Sequence, residues 1–167
     1  MLKSMKIDKL AVEIYESRAA MGAAAAKDAA TKLKSLLAVK EELNVMFAAA
    51  PSQNEFIASL VADRDIDWTR VNAFHMDEYI GLDPAAPQGF GNFLRDRIFG
   101  LVPFKSVNYL NGNAADPEAE AVRYGDILKA HPLDIVFMGI GENGHIAFND
   151  PPVANFTPSA TLGVVPA

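Results

Sequence analysis

The residues best equipped for chemistry in this chain lie in Leu133 to Pro152, LDIVFMGIGENGHIAFNDPP. The run Leu133–Met138 has the β-branched and aromatic content of a buried strand. Gly139, Gly141 and Gly144 follow, and glycines clustered after a strand let backbone approach a bound ligand closely. His145, one of three histidines in the chain, comes next, with Asp150 five positions on. A histidine moves protons near neutral pH, and a carboxylate beside it fixes its tautomer and raises its basicity. The competing explanation is a histidine tied to backbone in a tight turn. A second group is His75-Met76-Asp77-Glu78, two adjacent carboxylates where another apolar run ends. A carboxylate held beside a substrate C–H acts as a general base; alternatively Asp77 caps the following segment and Glu78 is solvated.

Two other chemistries fit poorly. Gly139-Ile-Gly141-Glu-Asn-Gly144 spells the G-x-G-x-x-G dinucleotide fingerprint, but that motif opens a helix and needs an acidic residue about twenty positions later. Here Pro151-Pro152 would end any helix early, and nothing acidic follows Asp150. A metal set of His75, Asp77, His145 and Asp150 lacks any recognised ligand spacing, so we expect no metal and no cofactor.

The remainder of the sequence sets the frame. Its 167 residues suggest a single domain over 1–167 with room for a sizeable core. A formal net charge of -6 without a basic cluster argues against a nucleic-acid partner. Cysteine is absent, so there is neither a disulfide framework nor thiolate chemistry. The N-terminal stretch has no uninterrupted apolar core, which argues against a signal peptide or membrane span. A cytoplasmic location is the default expectation.

Leu10–Ser17 and Ala19–Leu43 read as helices, the second with an alanine-rich packing face. Asn44–Ala48 reads as a strand. Ser52 with Glu55 resembles a capping box opening a helix through Phe56, Leu60 and Val61. Val71–Met76 is the next strand, followed by a proline-containing loop and a helix bearing Phe90, Phe93, Leu94 and Ile98. Ser106–Leu110 reads as a strand, and Asp116-Pro117 opens a helix with Ala121, Tyr124 and Leu128 inward, stopped at His131-Pro132. Strands alternating with helices imply an α/β fold: a largely parallel sheet flanked by helices in a Rossmann-like three-layer arrangement. Ligands then bind beyond the carboxyl ends of the strands. The turns Ala49–Asn54, Asp77–Tyr79 and Gly139–Asp150 are expected to converge there.

FHMDEYIGL (Phe74–Leu82) and GIGENGHIAFNDP (Gly139–Pro151) closely resemble the two signature stretches of the glucosamine-6-phosphate deaminase/isomerase family. Val107–Asn113 between them resembles that family's strand and turn. The likeness implies an α/β fold and conversion of glucosamine 6-phosphate to fructose 6-phosphate and ammonia, an amino-sugar reaction needing no cofactor. It implies that Asp77 is the base moving a proton between C2 and C1, and that His145 opens the sugar ring. Positions 143 and 150 would hold and tune that histidine. Ser52 and Gln53 would receive the sugar phosphate, with Glu78, Gly141 and Gly144 further substrate-binding candidates.

Several positions depart from the family pattern. Asn143 stands where many members have Asp; it can orient an imidazole but adds no charge. Asp150 replaces a usual Glu and is one methylene shorter, which shortens its expected reach to His145. Ala49-Ala50-Pro51-Ser52 replaces a glycine-rich phosphate turn. Val153–Ala167 carries no charge and reads like a chain cut short, since family members continue further. Two alternatives remain: a 6-phosphogluconolactonase-like hydrolase, and an inactive fragment that binds sugar phosphate. Against the first, Ile146-Ala147-Phe148-Asn149 follows His145 where lactonases usually have Thr-Ala-Ser. Association into a homo-oligomer through an uncovered sheet edge is left open.

Overall fold

In the computed structural model, residues 1–155, 157 and 161–165 are described. The uncharged tail singled out above lies partly outside them. The elements run β1 (Lys3–Ile7), β2 (Leu10–Ile14), α1 (Arg18–Leu37), β3 (Leu43–Phe47), α2 (Asn54–Ala62), β4 (Val71–His75), α3 (Phe90–Leu94), β5 (Ser106–Asn108), α4 (Pro117–Ala130) and β6 (Ile135–Phe137). β5, β4, β3 and β6 form a parallel sheet in that spatial order.

The period of two in a strand sends alternate side chains to opposite faces, and this sorts the helices into layers. Leu43, Val45 and Phe47 of β3 join Val71 and Ala73 of β4 on one face. They pack there with Ala26, Ala30 and Leu33 of α1, Ile57 and Leu60 of α2, and Phe93, Leu94, Ile98 and Phe99 after β4. Met46 and Phe74 point the other way and meet Tyr124 of α4. The result is three layers, helix on sheet on helix. Small alanines on α1 suit its close packing on α2.

The structure corrects several sequence expectations. Leu10–Ser17 is not a helix. Leu10–Ile14 is β2, paired antiparallel with β1 from Lys3↔Ile14 to Ile7↔Leu10, and the alternation Leu10, Val12, Ile14 favours a strand. The long helix ends at Leu37 rather than Leu43. Beyond it, the Arg70 guanidinium donates to the carbonyls of Leu37 (3.0 Å) and Glu41 (2.7 Å), satisfying the carbonyl that a further helical turn would use. Ser52 and Glu55 form no capping box: residues Pro51–Gln53 make a 3₁₀ turn, and no side chain caps α2. Glu55 instead forms a two-pronged ion pair with Arg18, at 2.8 and 3.0 Å. The run Leu133–Met138 is not a fully buried strand. Only Ile135–Phe137 pair, at the sheet edge, with Val136 36% and Met138 48% exposed.

Two strands end sooner than their apolar runs suggest, and one polar knot explains both. The Tyr124 hydroxyl accepts from the His75 backbone N–H at 3.1 Å and donates to the His75 carbonyl at 2.9 Å, so β4 stops at His75 instead of Met76. The Leu110 N–H donates to the His75 ring at 3.0 Å, so β5 stops at Asn108 instead of Leu110. Tyr124 is fully buried, and burial pushes its hydroxyl pKa well up, keeping it a neutral donor. Tyr124→Phe strands two buried backbone groups. It is expected to lower stability by about 1–3 kcal/mol in urea denaturation, with little change in the slope of the transition.

Candidate active site

The chain lays down β3, β4 and β5 side by side, then returns with β6 to the opposite side of β3. α2 and the helix after β4 pack on one face and α4 on the other. The connections therefore diverge between β3 and β6, the kind of crevice in which open α/β sheets bind ligands. The turns after β3, β4 and β6 all leave from this carboxyl edge. β4 and β6 flank β3, about 10 Å apart at ordinary strand spacing.

Asp77 follows β4 by two residues. Its carboxylate makes no hydrogen bond among the described residues, and burial, with the adjacent Glu78 charge adding to it, pushes its pKa up to about 6. His75 fixes its backbone. The imidazole is fully buried, accepts from Leu110 N–H on Nε2, and donates from Nδ1 to the Asp77 carbonyl at 2.9 Å. Burial holds the His75 pKa below the usual imidazole range, so the ring is neutral and this tautomer is set by its partners. His75 thus serves as a pin beneath Asp77, and it does not face ligand.

Glu78, a substrate-binding candidate from the sequence, has its carboxylate held by backbone donors. Oε1 accepts from Tyr79 N–H (3.0 Å) and Phe90 N–H (2.9 Å), and Oε2 accepts from Gly91 N–H (2.8 Å). Both oxygens are occupied by backbone donors, two of them at the opening of α3. The roles suggested by spacing alone are reversed: Glu78 does the capping, and Asp77 keeps a free carboxylate.

The loop after β6 brings His145, Asn143 and Asp150 together. His145 Nδ1 lies 2.7 Å from Asn143 Oδ1 and 3.1 Å from Asp150 Oδ1, and the Asn143 amide donates to Asp150 at 2.8 Å. Both atoms facing Nδ1 are acceptors, so the hydrogen sits there and Nε2 is left for a ligand. The Asp150 side chain, though one methylene shorter than Glu, reaches the imidazole, in a segment where the Asn149 N–H turns back to the Ile146 carbonyl. Gly144 takes φ +86, which favours glycine. At Gly141 a Cβ would stand 2.2 to 2.6 Å from the His145 ring, so glycine leaves the imidazole the room it occupies beside that backbone.

Ser52 and Gln53 lie in the turn after β3, and Gln53 Nε2 comes within 3.7 Å of the Cβ position of Gly139. The first and third turns are therefore neighbours. The second and third meet through aromatic rings: Phe148, three residues after His145, packs on Tyr79 at 5.3 Å and on Phe90 at 5.7 Å. Tyr79 and Phe90 also line a cleft of about 600 Å³ with Ala49, Pro51, Phe93 and Arg97. A second hollow, of about 490 Å³ between Ala23 of α1 and Arg64, lies at the far end of α2, away from these turns. No helix among the described residues is long and apolar enough to cross a membrane.

The sequence pattern that defines the family of glucosamine-6-phosphate isomerases and 6-phosphogluconolactonase matches residues 16–154. This chain belongs to that family. A glucosamine-6-phosphate deaminase of Exiguobacterium sp. is 48% identical over 89 residues, which make up 53% of this chain and 35% of that protein. One from Streptococcus suis is 38% identical over 118 residues, 68% of this chain and 50% of that protein. The chain thus spans about a third to a half of the length of these curated relatives. Among solved structures, a monomeric glucosamine-6-phosphate deaminase superposes with a TM-score of 0.72 at 27% identity, over 82% of this chain and 58% of the other. A 6-phosphogluconolactonase from Thermotoga maritima gives 0.71 at 19% identity, over 81% and 61%, and so shares the fold.

Sequence reasoning missed the pin formed by His75, Tyr124 and Leu110. The signal available was a histidine inside an otherwise apolar strand; its partners sit 35 and 49 positions away. The raised Asp77 pKa has a consequence for stability. The folded chain keeps this proton up to about pH 6, whereas an ordinary aspartate loses it near 3.8. That contribution to stability is fully present below 3.8 and is lost as pH rises through about 6. Asp77→Asn cannot ionise. It is expected to be more stable than the parent chain by about 3 kcal/mol at pH 7.5 and no more stable near pH 3.5, as read by urea denaturation at both pH values.

Proposed function

We propose that this chain carries the proton-transfer groups of a glucosamine-6-phosphate deaminase, turning glucosamine 6-phosphate and water into fructose 6-phosphate and ammonia. The observation that carries this is the Asp77 carboxylate, without a partner among the described residues and with its pKa pushed up to about 6, at the carboxyl edge beside the β3–β6 crevice. A base moving a proton between C2 and C1 needs a pKa close to the working pH and no competing hydrogen bond. Asp77 meets both requirements. The identity to glucosamine-6-phosphate deaminases supports this substrate over a lactone.

In this scheme His145 exchanges a proton with the ring oxygen through Nε2 to open the pyranose. Asn143 and Asp150 hold the imidazole from the Nδ1 side, Asn143 by hydrogen bonding and Asp150 by the only formal charge of the pair. Gly141 and Gly144 let the loop bring the ring close, and Ser52 and Gln53 receive the sugar phosphate. Glu78 contributes by anchoring the Asp77 segment to α3. A phosphorylated sugar is confined to the compartment that makes it, so we place the activity in the cytoplasm.

Ammonia release from glucosamine 6-phosphate by the full chain and by Asp77→Asn tests the scheme. We expect turnover in the parent, rising with pH through about 6 as Asp77 ionises, and a loss of at least about 100-fold in Asp77→Asn with folding intact. Equal turnover in both would remove Asp77 from the mechanism.

A further inference from the structure

We propose that Arg97 grips the phosphate of the sugar substrate, supplying the positive charge that the turn after β3 lacks. This rests on the deaminase reading of the site and names a substrate-binding residue for it. A phosphate monoester carries close to two negative charges and is held best where cationic donors face it. The turn itself, Ala49-Ala50-Pro51-Ser52-Gln53-Asn54, contains no cation.

Arg97 stands against this turn. Its Nε donates to the side chain of Asn54, the residue directly after Gln53, at 2.9 Å. Its guanidinium carbon sits 3.9 Å over the Phe93 ring, so one flat face is packed on apolar surface and the orientation is held from two sides. Nη1 and Nη2 make no hydrogen bond among the described residues, and no carboxylate there forms an ion pair with Arg97. Nearby Arg18 and Arg95, by contrast, are paired with Glu55 and Asp96. Among the described residues Arg97 is the one charged side chain lining the 600 Å³ cleft, to which Ala49 and Pro51 of the turn also contribute. It lies in the π-helical turn Arg95–Phe99 that continues α3, an irregularity that turns a side chain out of helical register. An arginine that is oriented, half-buried, unpaired and open on its fork edge fits a phosphate oxygen pair.

Calorimetric titration of the full chain with fructose 6-phosphate, fructose and inorganic phosphate tests this, alongside Arg97→Gln, Arg97→Lys and Asn54→Asp. Asn54→Asp keeps Arg97 in place but gives it a carboxylate partner, and an acidic residue suits the start of α2. We expect the parent to bind fructose 6-phosphate and not fructose. Arg97→Gln and Asn54→Asp should both weaken fructose 6-phosphate by about 10- to 100-fold, with Arg97→Lys between them and the parent. In turnover the change should fall on KM, leaving kcat within about threefold. Should Arg97→Gln fail to fold, Asn54→Asp decides. Unchanged fructose 6-phosphate affinity in the folded variants overturns the role of Arg97 and leaves the sugar-phosphate site standing. Inorganic phosphate bound as tightly as the sugar phosphate makes this a free-phosphate site and overturns the assignment to substrate. A parent chain that binds neither overturns both the role of Arg97 and the deaminase reading.

Discussion

The burial of one polar knot at the end of β4 governs the chemistry available here. His75 and Tyr124 lie in the core with every polar atom matched: a ring nitrogen to the Leu110 N–H, another to the Asp77 carbonyl, and a hydroxyl to both backbone groups of His75. A buried polar network is costly unless complete, and a complete one admits a single arrangement. That arrangement stops β4 and β5 together and fixes the backbone of Asp77 before its side chain has found a partner. Desolvation then raises the carboxyl pKa, and Glu78, committed to the opening of α3, raises it further. Stability is given up locally at Asp77, and a base near neutrality is the result.

Sheet topology brings the remaining groups to this base. Because β6 returns to the far side of β3, the His145 loop and the turn after β3 part at the same crevice. Gln53 near Gly139 and Phe148 on Tyr79 join three turns that are far apart in sequence. The Asn143 substitution is accommodated within the loop. Its amide both accepts from His145 and donates to Asp150, so Asn143 and Asp150 each face the imidazole Nδ1. The aromatic contact gives the His145 loop an anchor that does not depend on charge.

Much of this was legible in sequence, and the misses have physical causes. The parallel α/β arrangement follows from strands alternating with amphipathic helices, and Asp116-Pro117 marks α4 correctly because cap and proline act locally. The helix expected over Leu10–Ser17 gives way to a strand because Leu10, Val12 and Ile14 alternate and Lys3–Ile7 supplies an antiparallel partner. The capping box at Ser52 failed because Arg18, 37 positions from Glu55, competes for the carboxylate. Which of Asp77 and Glu78 stays free could not be read from adjacency, since it is decided by the backbone donors of Phe90 and Gly91. Local signals carried the elements; long-range partners carried the site.

Everything proposed for Asp77 rests on its carboxyl group being desolvated and unpaired in the folded chain. A ¹³C NMR pH titration of the aspartate carboxyl carbons, with Asp77 assigned by its absence from Asp77→Asn, measures this without reference to any substrate. The account predicts a midpoint close to pH 6 for Asp77. A midpoint near 3.8, the ordinary value, would mean that the carboxylate is solvated or paired, and would contradict its assignment as the poised base.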